Sequence, residues 1–387
     1  MKIQSILFVT PSLGMGGTNP SLEALYNHVK DLYDIHVFAI AHQSRARRYS
    51  FDEVLLPQSA PLSMLYTDYY KQRGFNKVIA FVFKTTQTLF RYFKIDLKMI
   101  VARQVVKSLE SCYSFDNVIA YQEGFATQFV SYFQNLNKIA WIHCNYDNWM
   151  PKEKSELTLY SKYKTIVCVS EYTASVFANR YNSLIDRVVA IYNLIDSERI
   201  QLLSKYTIED DRFKTDKFTL LSAGRFNSVK RFREIPRIAS YLKNHSIKFN
   251  WYILGVENDV SEMYAFQQGL ISYDVNDCVK WLGGKSNPYP YFKSSDIYIC
   301  TSESEACPMV FIEAKILGLP VLTTDFPSAY EFIEDGENGL VAPIDKLANT
   351  IIEVINNREV YFKFKNKMTD FVFDNKAIID KVVSILN

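Results

Sequence analysis

The feature that most constrains this chain is a pattern used twice: an apolar run, then glycine, then residues at helical spacing. Ile6-Leu7-Phe8-Val9 is continuously apolar and ends in Thr10-Pro11, with Gly14, Gly16 and Gly17 following. Leu22, Leu25, Tyr26 and Val29 then recur with a helical period, and Ile35 to Ile40 is apolar again. A strand buried on both faces reads as an unbroken apolar run, so this opening is βαβ and requires a parallel sheet. Further strands are expected at 118–120, 139–142, 165–169 and 188–191, with a helix at about 174–181. A polar stretch from Ser197 to Lys217 follows, and then the pattern restarts. Strands are expected at 218–222, 250–254, 279–282, 297–300 and 319–323, with a helix at about 231–242. The last stretch, from about Lys346, reads as helical. This predicts an α/β chain of two Rossmann-like domains in tandem, 1–195 and 196–365. Residues 366–387 form a closing helix that returns to the first domain.

Composition excludes several classes. With 387 residues, 48% hydrophobic and 22% charged, the chain has ample core material, and 15% aromatic content excludes disorder as its main state. A net charge of +2 argues against a dedicated nucleic-acid binder. Cys112, Cys144, Cys168, Cys278, Cys300 and Cys307 form no CxxC pair and no zinc-like spacing. Cys112, Cys168 and Cys300 are read as reduced and buried. No apolar run approaches the ~20 residues of a membrane span, and the amino-terminal run is too short and strand-like for a secretory signal. A cytoplasmic protein is expected.

Ligands of open α/β sheets sit beyond the carboxyl ends of the strands. Gly14, Gly16 and Gly17 occupy that place in the first domain, where glycine permits close backbone approach and a helix start favours an anion. They read equally as a plain strand-to-helix turn. The GxGxxG spacing of dinucleotide binders is absent, which argues against a nicotinamide dehydrogenase. In the second domain Arg225 and Lys230 leave one strand end together and could clamp a diphosphate, or stand as solvated charges. Glu305 and Glu313 flank Ala306-Cys307-Pro308-Met309-Val310, where a strand end passes through an acidic loop into an apolar helix. Eight positions place the two carboxylates on nearly one helical face. Carboxylates accept hydrogen bonds from sugar hydroxyls, and N–H groups at a helix start hold phosphate. His143 follows the strand at 139–142, at the functional end of the first sheet. There it could serve a ligand or simply pack.

These marks together resemble the retaining GT-B glycosyltransferases of family 4. The resemblance rests on Gly224-Arg225 with Lys230, Trp281-Leu282-Gly283, Ser295 to Tyr298, Glu305 to Glu313, Gly318 to Val321 and Gly336 to Val341. Gly16-Gly17, His143 and Val169-Ser170-Glu171 carry it in the first half. It implies a GT-B fold of two Rossmann-like domains facing across a cleft that closes to bring His143 toward Glu305. It also implies a hexosyl-type transferase with a nucleotide-sugar donor, UDP-linked, held mainly by the second domain. Arg225 and Lys230 would hold the diphosphate, and Glu313 the ribose hydroxyls. Glu305, with the backbone of Ala306, Cys307, Pro308, Met309 and Val310, would hold the sugar, while the Leu282 region reads the base. Gly16 and Gly17 would approach the phosphate from the other side. The resemblance implies retention of anomeric configuration, help from the leaving diphosphate, no metal and no separate cofactor. The acceptor implied is a glycan, lipid-linked, of a bacterial capsule, lipopolysaccharide or exopolysaccharide. Ala306-Cys307-Pro308 stands where the family has glycines, and Tyr192-Asn193-Leu194 where it has Pro-Asn-Gly. An epimerase on the same fold and a catalytically silent binding subunit are the rival readings.

One feature needs no resemblance. Residues 71–107 contain nine cations (Lys71, Arg73, Lys77, Lys84, Arg91, Lys94, Lys98, Arg103 and Lys107) against Asp96 alone. Phe75, Phe81, Phe83, Phe90, Tyr92 and Phe93 interleave with them. This composition suits an anionic membrane surface, or a solvated helix, better than nucleic acid.

Overall fold

The computed structural model describes residues 3–13, 18–41, 49–55, 75–92, 96–134, 137–146 and 154–387. Packing divides the chain into two units, Met1–Leu194 with Asn375–Asn387, and Ile195–Asp374.

The first unit holds a parallel sheet of β1 (Ser5–Ser12), β2 (Asp34–Ala41), β3 (Val54–Leu55), β4 (Asn117–Ala120), β5 (Lys138–Ile142), β6 (Thr165–Cys168) and β7 (Val188–Ala190). Their spatial order is β3-β2-β1-β4-β5-β6-β7. The apolar run Ile6 to Val9 is fully buried because β1 is central and covered on both faces. Around the sheet lie α1 (Thr18–Val29), α2 (Phe75–Tyr92), α3 (Leu97–Cys112), α4 (Phe125–Val130), α5 (Lys154–Tyr160) and α6 (Glu171–Arg180). α6 starts where it does because Ser170 and Thr173 form a reciprocal capping box.

The second unit repeats the design with β8 (Phe218–Ala223), β9 (Phe249–Leu254), β10 (Val279–Gly283), β11 (Ile297–Cys300), β12 (Val321–Thr324) and β13 (Gly339–Ala342). The order is β10-β9-β8-β11-β12-β13, again parallel. Its helices are α7 (Ser197–Leu203), α8 (Ile235–Asn244), α9 (Val260–Ser272), α10 (Tyr289–Lys293), α11 (Met309–Ile316), α12 (Ala329–Phe332), α13 (Leu347–Asn356) and α14 (Arg358–Thr369). Trp251, Ile253, Phe266, Ile299 and Leu322 belong to its core. α15 (Asn375–Leu386) belongs to the first unit. There it buries Ile378, Val382 and Leu386, and the Leu386 carbonyl accepts a 2.9 Å bond from buried Asn117.

In both sheets the first strand lies between the second and fourth, so the winding reverses between β1 and β4 and again between β8 and β11. A crevice opens at such a reversal, beyond the carboxyl ends of the two strands. The fold thus selects two places where a ligand would sit.

Several details differ from the sequence reading. β13 and the two-residue β3 were not expected. Gly339 admits β13 close to β12, since a Cβ there would lie 2.0 Å from the Val321 carbonyl oxygen. The helix expected from about 231 begins at Ile235, because Arg231 is left-handed at φ 48° and splits 228–234 into two 3₁₀ turns. Cys112 is exposed rather than buried, since it ends α3 on the surface, whereas Cys168 and Cys300 are buried.

Candidate functional site

In the second unit the reversal point is formed by Gly224 to Lys230 after β8 and Thr301 to Glu305 after β11. The first loop turns at Asn227, whose side chain accepts the Lys230 N–H at 3.0 Å. That turn points Lys230 back to the strand ends. Gly224, at φ 155°, carries no Cβ because one would lie 3.0 Å from Lys230 Cε. At Gly255 the demand is stricter, since a Cβ would come within 1.6 Å of the Gly224 carbonyl oxygen. The two loops are tied together. Thr301 Oγ1 donates to the Lys230 carbonyl (2.7 Å), Glu303 N–H to the Val229 carbonyl (2.8 Å), and the Arg231 guanidinium to the Ser302 carbonyl (3.0 Å).

Between the loops, Lys230 Nζ meets Glu305 Oε1 at 2.5 Å, and Ser302 Oγ donates to the same oxygen at 2.6 Å. Behind them Cys300 Sγ donates to Ser302 Oγ at 3.3 Å. Both charged side chains are mostly covered, with 20% and 15% of their surface exposed. Burial disfavours the Lys230 charge, but the Glu305 carboxylate outweighs it and raises the lysine pKa. Arg225 is exposed on the same loop.

Ala306 and Pro308 are buried, whereas Cys307, Met309 and Val310 are half-buried at the start of α11. Glu313 lies one turn further along α11. Its Oε1 accepts from the Tyr289 hydroxyl at 3.2 Å, and burial pushes its carboxyl up to about 7. Leu282 buries its side chain in β10, and its carbonyl accepts from Arg212 Nη2 at 3.1 Å. The structure therefore brings Lys230 and Glu305 into contact. It places Glu313 on the helix leading away from them, and it ties the Leu282 backbone to Arg212.

Sequence reasoning passed over Arg212 and its surroundings as a polar linker. A cavity of about 590 Å³ lies between Tyr206–Arg212, Lys285–Asn287 and α10. Asp210 is held there by Arg212 and Lys285, each at 2.7 Å. The Arg212 fork, assisted by Lys285, holds the Asp210 carboxyl far below the usual carboxylate range. The signal available in the sequence was the Asp210-Asp211-Arg212 run, which nothing distinguished from solvated charge.

In the first unit, Gly16 and Gly17 fall outside the described residues, as do Lys71, Arg73 and Lys94. His143 follows β5 and is covered at its imidazole. Its ring centroid lies 4.9 Å from that of Tyr121, and Nε2 is buried without a hydrogen-bond partner. Burial lowers its pKa to about 3, so the ring is neutral. The main-chain N–H of His143 donates to Glu123 Oε2 at 2.7 Å. Glu123 leaves the end of β4, at the reversal point of this sheet, and burial raises its carboxyl pKa. It was missed because one glutamate after a short strand carries no pattern. Nearby, Ser21 Oγ lies 2.9 Å from both the Tyr121 hydroxyl and Asn193 Oδ1.

Two parallel sheets wound in the same order and flanked by helices match GT-B glycosyltransferase structures. The Anabaena HepE structure, in complex with UDP and glucose, superposes with a TM-score of 0.71 over 99% of this chain and 97% of its own, at 16% identity. Residues 206–370 match the family described as Glycosyl transferases group 1. An uncharacterized glycosyltransferase of Haemophilus influenzae is 24% identical over 285 residues, 71% of this chain and 75% of the relative. The capsular polysaccharide biosynthesis glycosyltransferase CapM of Staphylococcus aureus is 23% identical over 206 residues, 50% of this chain and 53% of the relative. The chain thus spans three quarters of the first relative and about half of the second. It is a transferase of the glycosyltransferase type, and the segment similar to the group 1 family, 206–370, lies within its second unit.

Proposed function

We propose that this transferase moves a sugar from a UDP-linked donor to a lipid-linked glycan acceptor with retention of anomeric configuration, in bacterial surface polysaccharide synthesis. The observation that carries the reading is the Lys230–Glu305 pair at the reversal point of the second sheet, beside exposed Arg225. HepE, which has the same fold, binds UDP and glucose, and CapM is named for capsular polysaccharide synthesis.

In this reading Arg225 supplies a fork and Lys230 a point charge to the diphosphate. Glu313 accepts hydrogen bonds from the ribose hydroxyls, and the Leu282 strand end lies toward the base. Glu305, already oriented by Lys230 and Ser302, accepts from the sugar hydroxyls, with the backbone from Ala306 to Val310 around it. The neutral Nε2 of His143 accepts from a sugar or acceptor hydroxyl. The acceptor oxygen forms its bond to the anomeric carbon on the face the diphosphate leaves. The carbon–oxygen bond to phosphate breaks, and the acceptor proton passes to the departing phosphate oxygen. Lys230 and Arg225 stabilise the charge that develops there.

The test is incubation of the full chain with UDP-, GDP-, ADP- and CDP-sugars, measuring released nucleotide and the anomeric configuration of the product. Release from a UDP-sugar with a retained product, lost in Lys230→Ala, is expected. Conversion of the sugar with the nucleotide still attached would show an epimerase. Absence of binding to every donor would show a silent subunit.

A further inference from the structure

In the donor reading the base lies toward the Leu282 strand end and the ribose at Glu313, which Tyr289 supports. The loop 283–288, between β10 and α10, spans the gap between them. Its main chain is bare at the start. Gly283 and Gly284 follow one another, and a Cβ on Gly284 would lie 2.5 Å from Val256 Cγ1. The carbonyls at the end of β10 are already taken. Arg212 Nη1 donates to the Trp281 carbonyl at 3.3 Å and Nη2 to the Leu282 carbonyl at 3.1 Å. The Gly283 carbonyl accepts the Gly255 N–H at 3.0 Å. Gly284 and Lys285 are the first residues past β10 whose main-chain N–H and C=O make no hydrogen bond among the described residues. Such groups can answer the planar donor and acceptor edge of a base.

Charge rather than packing holds this loop. β10 is an edge strand that shifts register between Trp281 and Gly283, so its outer carbonyls face no neighbouring strand. Behind the loop, against Lys285, Ser286 and Asn287, lies the cavity of about 590 Å³. A polar clamp stands there in place of a packed core. The Arg212 fork takes both Asp210 oxygens, at 2.8 and 2.7 Å, with one edge, and its remaining N–H groups take the two carbonyls. Lys285 Nζ meets Asp210 Oδ2 at 2.7 Å and lies 5.4 Å from the centre of the Tyr291 ring. Asn287 pins the far end, donating to the Leu203 carbonyl at 2.8 Å. Arg212 is 55% exposed, and an ion pair so open adds little stability. A planar fork fixes direction as well as distance, however, and hydrogen bonds weaken steeply when misaligned.

We propose that Asp210, Arg212 and Lys285 are positioning residues for the nucleobase. They fix the main chain of Gly284 and Lys285, on which the base of the donor is read, and so set which nucleotide the site prefers. This rests on the donor reading above and gives a role to three residues that reading does not use.

The experiment is titration of UDP, CDP, ADP, GDP and inorganic pyrophosphate into the full chain, as wild type, Arg212→Ala and Lys285→Met. Wild type is expected to prefer UDP. Arg212→Ala should weaken UDP about tenfold, the loss of a hydrogen bond to the base, and leave pyrophosphate unchanged. The preference among the four nucleotides should then collapse. Guanidinium chloride below denaturing concentration should restore part of it, and sodium chloride at equal ionic strength should not. Lys285→Met should show the same change to a smaller degree, because Arg212 still holds Asp210, and it carries the test alone should Arg212→Ala not fold. A merely structural role would weaken every ligand alike. That result, or an undiminished preference for UDP in the variants, overturns the inference and leaves the donor reading standing. Equal affinity of wild type for all four nucleotides overturns it too. Absence of binding of all four to wild type overturns the donor reading itself, and the inference with it.

Discussion

Glu313 offers a quantitative test of the donor site, because its proposed role and its effect on stability oppose each other. Burial raises its carboxyl from 4.5 to about 7, and the Tyr289 hydroxyl offsets only part of that. A group whose folded pKa is raised contributes its full stability below the unfolded value and loses it as pH climbs through the folded one. The window is therefore pH 4.5 to 7, and the loss is about 3 kcal/mol at 1.36 kcal/mol per unit. Glu313→Gln keeps the shape and can still accept from Tyr289, but it never ionises. Urea denaturation of both proteins from pH 4.5 to 8.5 should give curves that nearly coincide at the acid end. They should then diverge until the glutamine protein is more stable by about 2–3 kcal/mol at pH 8. The same substitution should raise the donor KM, since a ribose diol binds a carboxylate more strongly than an amide. A glutamine protein less stable than wild type at pH 8 would refute the assignment of a buried, destabilising carboxylate.

Four further outcomes follow from the structure. A double-mutant cycle on Lys230→Ala and Glu305→Ala should give a coupling of about 1–3 kcal/mol in the denaturation of the second unit. Because the lysine pKa is raised, that coupling should persist on the alkaline side up to pH 10.5 and fade above it. Gly255→Ala should cost about 3 kcal/mol or more, since its Cβ would strike the Gly224 carbonyl. Gly283→Ala, at φ 79° with nothing within 4 Å, should cost only about 1–2 kcal/mol of backbone strain. The buried neutral imidazole of His143 makes the first unit lose stability as pH falls from 6.5 toward about 3. His143→Gln should flatten that acid limb, as read by near-ultraviolet dichroism.

The sheets were legible because central parallel strands are buried on both faces, and Ile6 to Val9 or Ile297 to Cys300 have no other use for such residues. The glycines and charged residues after β8 and β11 were legible because strand ends at a winding reversal are where ligands bind. What escaped depended on distance rather than order. Glu123 and His143 are twenty residues apart and meet only because β4 and β5 are neighbours. Asp210, Arg212 and Lys285 converge across 75 residues, and one paired carboxylate in a polar stretch looks like any other. The split of the 228–234 segment into two turns hangs on a left-handed Arg231, a conformation arginine itself does not advertise.

The most direct test of the central claim is calorimetric titration of UDP into wild type, Arg225→Ala and Lys230→Ala. Saturable binding to wild type, weakened at least tenfold in each variant, is the result expected of a diphosphate held at the ends of β8 and β11. Equal affinity in all three proteins would place the nucleotide elsewhere and contradict the account.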